Sequence, residues 1–272
     1  MTAALIVLAV AATVIAAIVV PPLLARRRRA RLRSAELPVE SQRLLYRRVP
    51  IYRRIPADIR ARLDGLVHEF VEDKNFVGCG GIEVDLEMKL VIAAQACLLV
   101  AGREGHHYDA LRSILVYPGE FVVPEEWHDD DGVVTTEERV LAGQAWGQDR
   151  ILLSWEDVEA GGHGEEAYNV VIHEFAHYLD EEEGAMNGTP ALDGPTHYAR
   201  WAEVFAHEFA VLRAAADAGQ DTFLDPYAAE DEAEFFAVAS ETFFETPREL
   251  RDRHPRLYRE LQGFYRLDPA SW

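Results

Sequence analysis

Val170-Val171-Ile172-His173-Glu174-Phe175-Ala176-His177 is the stretch from which the rest of the chain can be read. Its apolar approach predicts a helix, and residues four apart on a helix share a face. His173 and His177 can therefore aim both imidazoles at one ion. Glu174 follows the first histidine, where a carboxylate can take a proton from metal-activated water and pass it to a leaving amine. Two histidines and a glutamate on an apolar helix need polar partners, and a metal satisfies them together. Zinc suits imidazole nitrogen, and a catalytic site adds a third protein ligand while leaving a fourth position open. The five-residue pattern also occurs by chance in unrelated helices. A second stretch, His68-Glu69-Phe70-Val71-Glu72, lacks the second histidine and reads as the surface face of a core helix.

The third ligand is expected from a downstream helix, among Glu230, Asp231, Glu232, Glu234, Glu241 and Glu245. Most of these read as solvated acids. Glu234 and Glu241 stand apart because they sit in the apolar run Glu234-Phe235-Phe236-Ala237-Val238-Ala239-Ser240-Glu241. They are seven residues apart, on one stripe of a helix, and spacing alone does not rank them. Asp180 shares a face with both histidines and reads either as a carboxylate orienting a ligand ring or as an acidic helix end. His197 and His207 lack a partner at ligand spacing and read as core or surface histidines.

Outward from the motif, apolar periodicity predicts helices over Ala-rich Val84–Val100, Glu166–Glu181, Tyr198–Ala218, Ala233–Thr246 and Pro255–Tyr265. Ile59, Leu63, Leu66, Val67 and Phe70 mark an earlier helix. Strand-like runs fall at Ser113–Tyr117, Gly119–Val123 and Arg150–Trp155, separated by acidic turns such as Asp129–Gly132. Strands clustered between helices indicate an α+β fold with a small mixed sheet rather than alternating α/β. Ile151–Ser154 is expected to be an edge strand beside the motif helix, able to take a peptide by β-augmentation.

The formal charge of −20 is unevenly spread: the first 60 residues hold 12 Arg and 3 acids, the remainder 15 Lys+Arg and 44 acids. Such an acidic body repels a phosphate backbone and argues against nucleic acid as a partner. Cys79 and Cys97 form no CxxC and read as ordinary thiols. Ala3–Val20 is apolar apart from Thr13, and Pro21–Ala25 extends the run to about 23 positions, long enough for a hydrocarbon core of about 30 Å. Arg26–Arg29, Arg31 and Arg33 follow, on the cytoplasmic flank by the positive-inside rule, where they can also meet anionic headgroups. A cleavable signal would carry its charge before the apolar run. The expectation is a single-pass inner-membrane anchor (1–25) ended or kinked by the Pro pair, and an Arg-rich link (26–55) with a short helix near Glu40–Arg48. A cytoplasmic catalytic domain (56–272) follows.

His173–Asp180, Asp225-Pro226-Tyr227-Ala228-Ala229 and Ala233-Glu234-Phe235-Phe236-Ala237-Val238, together with Ala142-Gly143-Gln144-Ala145-Trp146 and Ile151–Trp155, resemble the Mlc titration factor A family of zinc peptidases. The family is of gluzincin type and is similar to the anthrax lethal factor catalytic domain. The resemblance spans about residues 60–268. It implies a zincin-like fold, zinc held by His173, His177 and Glu234, Glu174 as base, and Tyr227 donating a hydrogen bond to the oxyanion. The implied function is hydrolysis of peptide or protein substrates. The alternative is a catalytically weak binding protein that sequesters a regulatory partner, which the intact Glu174 disfavours. A structural zinc domain is disfavoured because three ligands, not four, can be named.

Overall fold

Apolar residues at helical spacing place Leu63, Val67 and Phe70 on the buried side of α3 (Ala57–Asp73), and the body is built on that helix. The computed structural model describes residues 2–105, 107–128, 134–141, 143–146, 149–162, 167–182 and 184–272. The fold is mixed α+β and mostly helical, with a small mixed sheet, as the sequence predicts. The expected turn at 129–132 lies outside the described residues, and the helix expected from Glu166 begins only at Val170, after the Asn169 cap.

The sheet runs β1 (Asn75–Gly78), β2 (Ser113–Tyr117), β6 (Arg150–Ser154), β5 (Gly143–Trp146). β1, β2 and β6 are parallel, and β5 is antiparallel to β6. β3 (Phe121–His128) and β4 (Val134–Leu141) form a separate antiparallel pair. This corrects one expectation: β6 is interior, and β5 is the outer strand on that side. The burial of Ile151, Leu152, Leu153 and Ser154 fits a strand covered on both faces.

α6 (Val170–Glu181) packs on β5 and β6, and α4 (Leu86–Leu98), capped by Asp85, lies against α6 and α3. Phe175 of α6 packs edge-on to Tyr108 and against Phe70, which fixes the roll of the motif helix in the core. α7 (Pro195–Asp217) closes over α8 (Glu232–Glu245), with Trp201 stacked on Phe205 and edge-on to Phe236. α9 (Pro247–Arg253) and α10 (Pro255–Tyr265) complete the body. Four-residue β1 and β5, and α5 (Trp155–Ala160) and α9, escape a periodicity reading because each is too short to show a repeat.

At the N-terminus α1 (Thr2–Ser34) is one 33-residue helix that runs through Pro21 and Pro22 instead of ending there. Its described side chains begin at Thr13; the expected anchor falls in large part on residues before that, outside the described side chains. Among the described residues no helix is long and apolar enough to cross a membrane. The basic end of α1 docks on α3. Arg33 pairs with Glu69, and Arg28 and Arg29 lie 3.6 and 3.3 Å from Asp73. Glu69, expected on a surface face, is therefore buried beneath this arm. Gly65 permits the crossing: a Cβ there would sit 2.2 Å from the Arg33 carbonyl oxygen. α2 (Val39–Arg48) and the turn of 3-10 helix after it add Leu45, Ile51, Tyr52 and Ile55 to the core.

Candidate metal centre

Asn169 caps α6, its side-chain oxygen accepting from the Ile172 N–H at 3.1 Å. One turn on, His173 and His177 leave the same face of the helix, their Nε2 atoms 3.1 Å apart. α8 supplies the third group. Asp231 caps it and accepts from the backbone N–H of both Ala233 and Glu234, at 2.9 Å each, which seats Glu234 in the first turn. Glu234 Oε2 then lies 3.0 Å from His173 Nε2 and 3.3 Å from His177 Nε2. The three sequence-predicted candidates thus converge, with one ligand atom from each inside a 4.8 Å group.

The donor set fits a cation. Two imidazole nitrogens and a carboxylate oxygen crowd one point, and that oxygen is buried without an in-line hydrogen bond. Burial favours the neutral acid of Glu234, but the pull of the His173 and His177 rings outweighs it and holds the carboxyl far below its ordinary range. His173 moves oppositely: burial lowers its pKa, and Glu234 and Glu241 reverse this and raise it well above the ordinary value. Carboxylates on both sides of the His173 ring make the cluster attractive to positive charge, which a metal would supply.

Glu241 resolves the ambiguity with Glu234. It lies two turns deeper on α8, buried, with Oε1 2.8 Å from His173 Nδ1 and its other oxygen accepting from the Asn169 N–H. It orients the His173 ring and leaves Nε2 facing the cluster. Burial raises the Glu241 pKa, against the opposing pull of His173. Asp180, expected to orient a ligand ring or to mark an acidic helix end, lies in the last turn of α6; burial raises its pKa, and the Gly188 N–H and the His177 ring are among the groups that oppose this. It is fully buried, and its Oδ2 accepts from the Gly188 N–H at 2.6 Å, tying down the loop after α6. His197 lies 3.7 Å from Glu260 and takes no part in the cluster. His207 is likewise not part of it.

Glu174 lies beside the histidines on the wall of a cleft of about 690 Å³. Tyr168, Phe223, Leu224 and Tyr227 also line it. Glu174 is 6 % exposed and packs against Gly143 of β5, where a Cβ would stand 2.5 Å from Glu174 Oε1. The sequence marks that glycine only as part of a family motif, and the network around Asn169 went unread; the polar Gln95 in the buried half of α4 was its one signal. Tyr227 is exposed at the rim, its ring 6.1 Å from the His173 ring, on the turn of 3-10 helix that Asp225 caps.

An α+β fold that sets a His-Glu-x-x-His helix against a glutamate-bearing helix, under an open cleft, has the layout of a metallopeptidase. The chain belongs to the glucose-regulated metallo-peptidase M90 family, whose profile matches residues 23–266. It is 39 % identical over 238 residues to a Synechocystis protein described only as uncharacterised, covering 86 % of each chain. It is 35 % identical to Mlc titration factor A of Pectobacterium atrosepticum, over 82 % of this chain and 84 % of the relative. It is also 35 % identical to Mlc titration factor A of Salmonella arizonae, over 82 % and 89 %. The resemblance read from the motifs is borne out.

Proposed function

We propose that this protein is a zinc-dependent peptidase of the zincin type, with His173, His177 and Glu234 as ligands and Glu174 as general base. The observation that carries this reading is the convergence of those three ligand atoms beside Glu174 at the wall of an open cleft. Zinc bound there would supply a Lewis acid and bring the pKa of a water toward neutrality. Glu174, nearly buried and fixed by Gly143, takes the proton and hands it to the leaving amine. Tyr227 at the rim donates its phenolic hydrogen to the carbonyl oxygen as charge develops. The outer edge of β5, paired only with β6 among the described residues, offers main-chain hydrogen bonds to an extended substrate. The apolar Ala3–Ala25 run and the arginines after it support a single inner-membrane anchor with the body in the cytoplasm.

The test is hydrolysis of a peptide library by the full chain, with and without a chelator, beside Glu174→Gln. Cleavage that stops with chelator and with Glu174→Gln is the expected result; equal cleavage by both proteins sinks the peptidase reading. A reporter fused after Trp272 checks the topology, and a periplasmic signal refutes it. The second reading, a protein that sequesters a regulatory partner, is favoured by the name titration factor borne by the Pectobacterium and Salmonella relatives. It predicts partner binding that survives Glu174→Gln.

A further inference from the structure

Gln95 is the unexpected residue of α4. It lies among Val91, Ile92, Ala93, Ala94, Ala96 and Cys97, all buried, and is itself 4 % exposed. A primary amide in such a place costs free energy unless its groups are paired. Its Nε2 donates to the Val91 carbonyl at 3.2 Å, and its Oε1 accepts from Asn169 Nδ2 at 2.6 Å. Asn169 is buried and bonds through both polar atoms of its side chain as well as its backbone N–H. Nδ2 also donates to Glu245 Oε1 at 2.7 Å, Oδ1 caps α6, and the backbone N–H donates to Glu241. Glu241 in turn meets His173 Nδ1 at 2.8 Å. Three helices are thus joined at one asparagine: α4 through Gln95, α6 through its own cap, and α8 through Glu241 and Glu245.

We infer that Gln95 and Asn169 are positioning residues for the metal centre, a relay from the core of α4 that fixes the Glu241 carboxylate and hence the His173 ring. The inference rests on the metal reading of His173, His177 and Glu234. Its physical basis is the geometry of buried polar networks. Each member is held by at least two partners, so the carboxylate facing His173 has one available orientation, and the ring that it holds has one as well. Neither residue touches the cleft chemistry, and neither is marked by the motif. A cap alone would need only the Asn169 side-chain oxygen, and leucine or methionine at position 95 would keep the helix propensity of α4 without burying an amide. The amide pair is explained by what it holds in place.

Two variants separate positioning from mere folding. Gln95→Met keeps the volume and suits a buried helix, while removing the acceptor for Asn169 Nδ2. Asn169→Asp keeps a strong helix cap and turns the amide donor into an oxygen that faces Gln95 Oε1 and Glu245 Oε1. In the full-length protein, Gln95→Met is expected to melt within a few degrees of wild type, and Asn169→Asp lower, because a buried carboxylate then faces Glu245. Both should bind zinc about tenfold more weakly in competition with a chelator, with shifted visible bands after cobalt substitution. The expected kinetic signature is a fall in kcat with KM nearly unchanged. A second readout does not depend on metal: the proton on His173 Nδ1, seen by NMR in the metal-free protein, should shift or broaden in both variants. A His173 resonance, zinc affinity and cobalt spectrum all unchanged in both variants overturn the relay. A wild-type protein that takes up no zinc overturns the metal reading instead, and the NMR comparison still decides the relay.

Discussion

At the scale of single residues, the division of labour between Glu234 and Glu241 follows from depth. Both lie on one stripe of α8, but Glu234 reaches the Nε2 atoms of two histidines, whereas Glu241 holds the far side of one ring. Glu234→Ala is therefore expected to lose stoichiometric zinc, measured by metal analysis of the purified protein. Glu241→Ala should keep a site weakened about 10- to 100-fold. Full zinc content in Glu234→Ala would refute the assignment. Gly143 makes a second residue-scale prediction. A methyl group there meets Glu174 Oε1 at 2.5 Å and Cγ at 2.6 Å, so Gly143→Ala must displace the base. A shift of about 1 Å at a reacting group costs roughly 100-fold in rate. Peptide hydrolysis should fall by that order while zinc content stays at the wild-type level; unchanged hydrolysis would show that Glu174 tolerates the move. The histidine pair, the base and the two competing acids were legible in the sequence because they are fixed by helical spacing. Gly143 was legible only as part of a family motif, since what makes it a glycine is a side chain from another element 31 positions away.

At the scale of elements, the centre depends on how two helices begin. Asp231 starts α8 and bonds the backbone N–H of Glu234 itself, so the cap and the candidate ligand are mechanically one piece. Asp231→Ala should cost about 1 kcal/mol of stability by urea unfolding. It should also weaken zinc binding, because the first turn that carries Glu234 frays. Retained zinc affinity alongside the stability loss would separate cap from site. Helices with a clear apolar stripe were readable, α10 to its bounds and α3 by the stripe from Ile59 to Phe70. The sheet was not: β5 and β1 are four residues each, and strand order is set by pairing between distant segments that leave no local period. That is why β6 read as an edge when it is interior. An apolar run such as Ile151-Leu152-Leu153 indicates burial on both faces, which was the sequence signal for an interior strand.

At the scale of the whole molecule, the acidic body uses its few cations to hold its parts together. Glu69 is buried against Arg33 and Arg29, so a protein starting at Ala35 leaves that carboxylate without its partners, while one starting at Arg26 keeps them. Removing residues 1–34 uncovers Glu69 to water but forfeits its charge-assisted hydrogen bonds and the α1–α3 contact, a loss of roughly 2 kcal/mol. The shorter chain should melt at least about 4 °C lower, and equal melting temperatures would show that α1 adds nothing to the body. On the far side, the hydrogen bond from His254 holds the Glu208 carboxyl below its ordinary range against the opposing effect of burial. A depressed folded pKa means that this pair stabilises the fold above the unfolded carboxylate value and loses its contribution as pH falls through the folded one. Glu208→Gln should flatten the loss of stability as pH falls below the ordinary carboxylate range in urea titrations. A variant as acid-sensitive as wild type would refute it.

The docking of α1 also has a mechanical side. A helix of 33 residues is a rod roughly 50 Å long. One end is clamped to α3 by arginines and by the close crossing at Gly65, and no loop interrupts it before Ser34. A clamped rod transmits heading as well as distance. Whatever grips its apolar end also sets which way the cleft faces, and how far from that grip a substrate must reach to enter it.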